Sequence, residues 1–198
     1  MVGAYMESDR IKWNHRFESQ DSYLGDRPSP FLAREIETVK RLAPGVRALD
    51  IACGEGRNSV FLAQHGFRVT GLDISDCGLA KGALRAQAAG VEVDFQQVDL
   101  DSSSVEGSYD LIVNFNFLLR GLIAPLVQAL VPGGVMLFDT IMASRQMLAA
   151  HNPDYLLQRG ELLRLFEAFT GEILMSEESD DGDVPTARLM FRKGVPIR

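Results

Sequence analysis

Cysteine is scarce in this 198-residue sequence, and no long apolar run is present. Two cysteines, Cys53 and Cys77, do not suggest a disulfide framework, which favours a reducing compartment. The opening segment "MVGAYMESDR" lacks the apolar core of a signal peptide, and no stretch approaches membrane-spanning length. We therefore expect a cytoplasmic protein without membrane association.

Clusters of basic residues and metal-binding patterns are also missing. The net charge is −7, with 27 acidic and 20 basic residues and no Lys/Arg run, so no nucleic-acid partner is expected. The histidines, His15, His65 and His151, fit no metal-ligand spacing, and the acidic segment "EESDDGDVP" lacks the order of a calcium loop. G-x-S-x-G, G-x-x-x-x-G-K-[ST] and H-E-x-x-H are absent, which argues against the common hydrolase, P-loop and zinc-protease classes. We expect no metal site.

Strand and helix patterns alternate along most of the chain. After a helix over 29–43, short apolar runs at 46–51, 67–73, 91–98, 109–115 and 135–141 read as strands, with helical segments between most of them. This alternation predicts an α/β fold in one domain, a Rossmann-like, doubly wound and mostly parallel sheet. A helix over 160–169 is followed by strands at 171–179 and 186–193 with no helix between them. These two strands must pair antiparallel, which puts one reversed strand near the C-terminus.

The stretch "ALDIACGEGRNSVFLAQHGFRVTGLDIS" (48–75) reads as strand, glycine turn, helix and strand. Gly54 and Gly56 lie in the turn, where glycine permits unusual dihedral angles and close approach of a ligand. Asp73 ends the second strand, where a carboxylate can accept hydrogen bonds from both hydroxyls of a ribose. Ligands of such sheets bind at this carboxyl edge, so the stretch predicts a nucleoside site.

The glycine pattern does not decide which nucleoside cofactor binds. Ser59 stands where a third glycine would complete the dinucleotide fingerprint. Asp50, at the end of the first strand, would repel a pyrophosphate and suits a cationic ligand. S-adenosylmethionine carries an ammonium and a sulfonium group and no phosphate, so charge favours it over NAD.

The same stretch resembles the first two motifs of the class I S-adenosylmethionine-dependent methyltransferases. "DLDSSSVEGSYDLIVNFNFLLR" is similar to their third and fourth motifs, and "LVPGGVMLFDT" to their fifth. "CGEGRNSVFLA", "RPSPFL" and "NPDYLLQRGELLRLF" resemble the small tellurite-resistance and thiopurine methyltransferase-like branch. The resemblance implies an N-terminal lid segment and helix (1–44), a cofactor-binding core (45–142), and C-terminal helices with the antiparallel strand pair (143–198).

The resemblance also implies roles for individual residues. The methionine moiety would face the end of the first strand, and Asp73 would hold the ribose. The adenine would lie against the ends of the following strands, and the sulfonium would lie near the end of the fourth strand. The implied cofactor-binding residues are Asp50, Ala52, Cys53, Gly54, Gly56, Arg57, Asn58, Asp73, Ile74, Ser75, Asp99, Leu100, Asn114 and Phe115.

The expected activity is direct in-line methyl transfer to a small-molecule acceptor, because little is inserted between the motifs to dock a macromolecule. The donor is already activated, so no catalytic residue is assigned. The candidate acceptor-site residues are Tyr23, Phe31, Arg120, Asp139 and Arg145, of which Tyr23 and Asp139 could assist loss of a proton. Two alternatives stay open: an S-adenosylmethionine-binding protein without activity, and an NAD-dependent oxidoreductase. A monomer or a homodimer is expected.

Overall fold

The computed structural model describes residues 2–19, 22–180 and 184–196, the first six of these by their backbone alone. Seven strands form one sheet, and its elements follow the predicted alternation. The helices are α1 (Val2–Glu18), α2 (Pro30–Leu42), α3 (Arg57–Gln64), α4 (Asp76–Ala89), α5 (Ile123–Ala129), α6 (Arg145–Ala150) and α7 (Glu161–Glu167). The strands are β1 (Arg47–Ile51), β2 (Arg68–Asp73), β3 (Val93–Gln97), β4 (Tyr109–Phe115), β5 (Leu130–Ile141), β6 (Gly171–Ser179) and β7 (Thr186–Lys193).

The strand order is β3-β2-β1-β4-β5-β7-β6. The first five strands in this order pair in parallel, and β7 pairs antiparallel with both β5 and β6. The predicted mostly parallel sheet with one reversed strand is therefore confirmed. The reversed strand is β7, which lies between β5 and β6.

Two apolar cores lie on opposite faces of the sheet. One joins α2 and α3 to the sheet through residues such as Leu32, Val39 and Leu62. The other joins α5 and α7 to it through residues such as Leu126 and Phe166. Ligands of doubly wound sheets bind at the carboxyl ends of the strands, so the site is expected at this edge.

Helix α1 was not predicted from the sequence. Its polar composition gives a weak apolar stripe, and its contacts are tertiary. Asn14 donates to Asp76 Oδ1 at 2.7 Å and accepts from the Ser75 hydroxyl at 2.6 Å. These bonds fasten α1 to the beginning of α4, so the N-terminal segment lies over the first two strand ends.

Two smaller differences concern β5 and the last connection. Strand β5 begins at Leu130 rather than 135, and its register against β4 shifts before Val135. The acidic connection between β6 and β7 includes 181–183, which lie outside the described residues. Within the described ranges, no helix has both the length and the apolar content needed to cross a bilayer.

Candidate functional site

The sheet reverses its direction of winding between β1 and β4. Crossovers lead from β1 outward to β2 and from β4 outward to β5, which opens a crevice at the carboxyl ends of the two central strands. The chain leaves both strands through a strained residue: Ala52 follows β1 with φ 52°, and Asn116 follows β4 with φ 56°. Among the described residues these are the non-glycine positions with positive φ, a conformation that concentrates at functional sites.

The glycine turn leads from β1 into α3. Gly56 precedes the helix with φ 69°, and a Cβ there would lie 2.6 Å from Phe95 Cζ and 3.2 Å from Gly82 Cα. Its role is thus to let α3 pack closely on α4 and β3. Gly54 has φ 54°, and a Cβ there would lie 3.1 Å from Phe17 Cζ, so the α1 aromatic ring packs directly on the turn.

Two buried carboxylates flank this turn. Asp50 is 1% exposed and accepts a 2.6 Å hydrogen bond from Ser59 Oγ. Burial raises the pKa of Asp50 to about 7. Asp73 is 7% exposed, and its two oxygens accept from the backbone N–H groups of Gly54 (2.7 Å) and Ser75 (2.9 Å). Burial raises the pKa of Asp73 as well. The crevice therefore contains acidic groups that a cationic ligand would stabilise in their ionised form.

Arg57 and Asn58, at the start of α3, contact the N-terminal segment. The Arg57 guanidinium donates to the carbonyl oxygens of Leu24 (2.9 Å) and Arg27 (3.2 Å). Asn58 Oδ1 accepts from the Ser29 N–H at 2.8 Å. In this structure both side chains hold the segment that passes over the turn.

Glu55 belongs to the same arrangement and was missed from the sequence. Its Oε2 accepts from the Tyr23 N–H at 2.8 Å, and its Oε1 lies 3.2 Å from Lys81 Nζ. Lys81 also donates to the carbonyl oxygen of Phe17. We call α1 and residues 22–29 the cover, because they are tied over the glycine turn by Glu55, Arg57 and Asn58. The segment "GEGRN" gave no signal for this role, since the partners lie about 30 residues away.

The residues predicted to face adenine lie at the ends of β2 and β3. Ile74 is half-buried and its carbonyl accepts from Gln97 Nε2. Asp99 accepts from the Asp101 N–H and the Ser102 hydroxyl, while the side chain of Leu100 belongs to the core.

The remaining predicted cofactor residues lie near the central strand ends. Asn114 is buried at the end of β4 and donates to the Phe117 carbonyl at 2.7 Å. Phe115 packs edge-on against Phe31, with ring centroids 6.3 Å apart. Cys53 is a free cysteine, and burial raises the pKa of its thiol well above the usual value. A thiol in this protonated state is a structural residue rather than a nucleophile.

Tyr23, Arg120 and Arg145, three of the candidate acceptor residues, lie in different parts of the structure. Tyr23 packs edge-on against Trp13 and Phe17, with centroids 6.0 Å away in each case, so it is part of the cover. Arg120 pairs with Glu161 at 2.6 Å and bonds the carbonyls of Asp154 and Leu156, which holds the chain before α7. Arg145 is exposed at the first residue of α6.

Asp139, near the end of β5, pairs with a residue that the sequence did not reveal. Arg188 Nε donates to Asp139 Oδ2 at 3.2 Å, and the two residues are partners in the β5–β7 register. They lie 49 positions apart in sequence. The alternation in "TARLMFRK" puts Arg188 on the same face as Met190. This pattern could have indicated that Arg188 lies on a covered face of the sheet.

The fold and the acidic crevice define a doubly wound protein with a nucleoside-type site. A family model described as "Methyltransferase domain" matches residues 48–134. A ubiquinone biosynthesis O-methyltransferase of Pseudomonas aeruginosa is 30% identical over 164 residues, 78% of this chain and 69% of that protein. The protein of the same name from Nitrosococcus oceani is 34% identical over 104 residues, 49% of this chain and 44% of that protein. The chain covers 44, 51 and 60% of the first three such relatives, roughly half their length.

Solved structures agree on the fold. The N-methyltransferase NodS from Bradyrhizobium japonicum, in complex with S-adenosyl-L-homocysteine, has a TM-score of 0.71 at 19% identity over 93% of this chain and 97% of NodS. TehB from Haemophilus influenzae has a TM-score of 0.66 at 21% identity over 81% of this chain and 62% of TehB. The chain belongs to the class I S-adenosylmethionine-dependent methyltransferases, as the motifs predicted.

Proposed function

We propose that this protein transfers a methyl group from S-adenosylmethionine to a small-molecule acceptor. The observation that carries the proposal is the pair of buried carboxylates, Asp50 and Asp73, beside the glycine turn at the reversal of winding. Two buried carboxylates repel a pyrophosphate, whereas they attract a ligand with an ammonium and a sulfonium group. The residues present therefore fit S-adenosylmethionine better than NAD.

Each part of the cofactor has a candidate partner in the crevice. Asp73 would hold the ribose hydroxyls, with the carboxylate already oriented by two backbone N–H groups. Asp50 and the backbone of 52–54 would face the methionine moiety. The adenine would lie against Ile74, with Asp99 and the Leu100 amide at its edge. Asn114 and Phe115 would line the end nearest the acceptor.

S-adenosylmethionine, when bound, supplies a methyl group activated by a positively charged sulfur. The task of the chain is to orient the acceptor in line and about 3 Å away, which can lower the barrier by roughly 7–11 kcal/mol. The cover lies over the glycine turn and would exclude water from the crevice when the ligands are bound. A dry site strengthens the electrostatic interactions of the buried carboxylates. Both relatives described above bear the name O-methyltransferase, so an oxygen atom is the first acceptor to test.

Calorimetric titration with S-adenosylhomocysteine, run beside NAD, tests the cofactor. We expect micromolar binding of S-adenosylhomocysteine alone, weakened by about 100-fold or more in Asp73→Asn and Asp73→Ala. Asp94→Asn, an exposed carboxylate on β3, is the matched control and should bind as the unaltered protein does. Binding of NAD, or of neither ligand, by a folded protein would refute the proposal. Binding of S-adenosylhomocysteine without methylation of any acceptor would favour a binding protein without activity.

We also propose a reducing, cytoplasmic location. Both cysteines are free, and Cys53 is buried beside the cofactor turn, where oxidation would disturb the packing.

A further inference from the structure

Four side chains form one row across the carboxyl edge of the sheet. Phe115 pairs with Asp139, Asp139 with Arg188, and Arg188 with Glu177 in the strand registers. We call Phe115, Asp139, Arg188 and Glu177 the edge row. It lies one residue beyond the level at which Asn114 pairs with Ile51, the last residue of β1.

The first three members of the edge row project on the same face of the sheet. Val113, Leu137 and Met190, each two residues away on the same strands, belong to one apolar cluster beneath α2. Because side chains alternate along a strand, Phe115, Asp139 and Arg188 point to the same side as that cluster. Asp139 therefore lies at the carboxyl-end boundary of this buried cluster, next to the edge-on pair of Phe115 and Phe31.

The position of the edge row matches the place an acceptor must occupy. Neighbouring strands are about 4.8 Å apart, so Asp139 on β5 lies about 10 Å from the end of β1, with β4 between them. Asn116, the strained residue that follows β4, lies next to Asp139, and its N–H donates to the Asp139 carbonyl at 2.8 Å. A ligand bound from β2 to β4 would thus present its far end to Phe115 and Asp139.

Three arginines and one further carboxylate surround Asp139. Arg188 on β7 pairs with it, and the charges of Arg34 on α2 and Arg57 on α3 also act on it. Glu177 on β6 pairs with Arg34 at 3.0 Å. Burial raises the pKa of Asp139, and the three arginines oppose that rise, Arg188 most strongly. The Asp139 carboxylate, beside the rings of Phe115 and Phe31, can accept a hydrogen bond from the hydroxyl group of an aromatic acceptor.

We propose that Asp139 accepts the proton of a hydroxylated aromatic acceptor, and that Arg188 is the positioning residue that orients this carboxylate. This inference rests on the proposed methyl transfer. The acceptor O–H proton passes to Asp139, and an oxygen electron pair forms the new O–C bond. The S–C bond breaks with its electron pair left on sulfur, so the sulfonium and carboxylate charges are both neutralised.

The test uses 4-nitrocatechol, an aromatic compound with two hydroxyl groups. With saturating S-adenosylhomocysteine, the unaltered protein should bind this probe. With S-adenosylmethionine, it should methylate the probe. Asp139→Asn should lose about 100-fold or more of kcat, with S-adenosylhomocysteine affinity retained.

Arg188 is tested by the pH profile of kcat. Arg188→Gln should move the acidic limb to higher pH, because the lost cation no longer opposes protonation of Asp139, and Arg188→Lys should restore part of the shift. Arg192→Gln is the matched control. Arg192 lies on the same strand and face but bonds the Gly133 carbonyl at the opposite end, so its profile should not move. Should Asp139→Asn not fold, the Arg188 profiles decide alone.

The two proposals fail separately. If the unaltered protein does not bind S-adenosylhomocysteine, the proposed function fails and the acceptor site with it. If it binds but neither takes up nor methylates 4-nitrocatechol, only the acceptor class is wrong. Full activity in Asp139→Asn, or an unmoved profile in Arg188→Gln, would overturn the roles of these residues while leaving methyl transfer intact.

Discussion

Glu55 Oε2 accepts a hydrogen bond from the backbone N–H of Tyr23 at 2.8 Å, across 32 positions of sequence. The other carboxylate oxygen lies 3.2 Å from Lys81 Nζ, and the Glu55 side chain is only 4% exposed. A buried carboxylate between the glycine turn and the N-terminal segment thus ties the cover to the site. We therefore expect this connection to slow the entry and release of a ligand at the crevice.

Replacement of Glu55 should loosen the cover. Hydrogen bonds to a buried charged group contribute roughly 1.5–3 kcal/mol, so Glu55→Gln should accelerate hydrogen exchange of residues 22–29 by about 10- to 100-fold. Dissociation of S-adenosylhomocysteine should also be faster. Glu37→Gln, an exposed i,i+3 partner of Lys40, is the control. Unchanged exchange in Glu55→Gln would show that the cover is held by its aromatic packing alone.

Asp50 should destabilise the fold at neutral and alkaline pH. Its folded pKa of about 7 exceeds the usual value of 3.8, so the native state binds more protons between those limits. The free energy of unfolding therefore falls as pH rises through this window, by at most about 4 kcal/mol. Asp50→Asn keeps an acceptor for Ser59 and should be more stable than the unaltered protein at pH ~8, though not at pH ~4.

Urea unfolding at several pH values measures this effect, with Asp94→Asn as an exposed control. Asp50→Asn should at the same time weaken S-adenosylhomocysteine binding, because the ligand ammonium loses its ionised partner. Parallel stability curves for the variant and the unaltered protein would contradict the burial of an ionisable Asp50.

Gly56→Ala should lower the free energy of unfolding by more than the positive φ of this residue alone explains. The left-handed backbone costs an alanine roughly 1–2 kcal/mol, and the close approach to Phe95 and Gly82 adds about 1–3 kcal/mol. Gly90→Ala isolates the first cost, since Gly90 has φ 68° and no atom within 4 Å of the added Cβ. In chemical denaturation, the free energy of unfolding should therefore be clearly lower for Gly56→Ala than for Gly90→Ala. Equal losses would mean that α3 can move away from β3.

Arg120→Ala should destabilise the protein at neutral pH by roughly 1.5–3 kcal/mol, because the bonds to Glu161 and two carbonyls are lost. The Arg120 guanidinium lowers the pKa of Glu161. A lowered carboxylate pKa stabilises the fold above the usual value of 4.5, and this contribution disappears as pH falls below it. The difference between the two proteins should shrink accordingly in acid.

Arg145→Ala, at an exposed position, is the comparison and should change stability by less than about 0.5 kcal/mol. Thermal unfolding at several pH values distinguishes the two variants. A strong loss of acceptor methylation with unchanged stability in Arg120→Ala would instead restore Arg120 to the acceptor site.

The parallel half of the fold followed from local patterns. Short apolar runs separated by helical segments indicate a doubly wound sheet, and "GEGRN" with Asp73 indicates the crevice, because these signals lie within one crossover. The position of β7 between β5 and β6 was not accessible in this way. Antiparallel partners are chosen by tertiary packing, and "TARLMFRK" fits either edge.

The same limit applies to individual side chains. Arg188 and Glu55 acquire their roles from partners 49 and 32 positions away, and neither stands in a recognisable motif. Helix α1 was missed for a related reason. Its apolar residues do not recur as a clear periodic stripe, and it is held partly by polar bonds to α4.

The cover also contains the chain's single tryptophan. The Trp13 ring stacks on Phe17 with centroids 5.8 Å apart, and the Arg16 guanidinium lies 4.8 Å from its centre. Phe17 in turn packs on Gly54 at the crevice. Displacement of α1 would change the surroundings of this one indole, so its fluorescence would report any displacement of α1 when a cofactor binds. Stopped-flow fluorescence of the unaltered protein would measure the rate of any such displacement, without an attached dye.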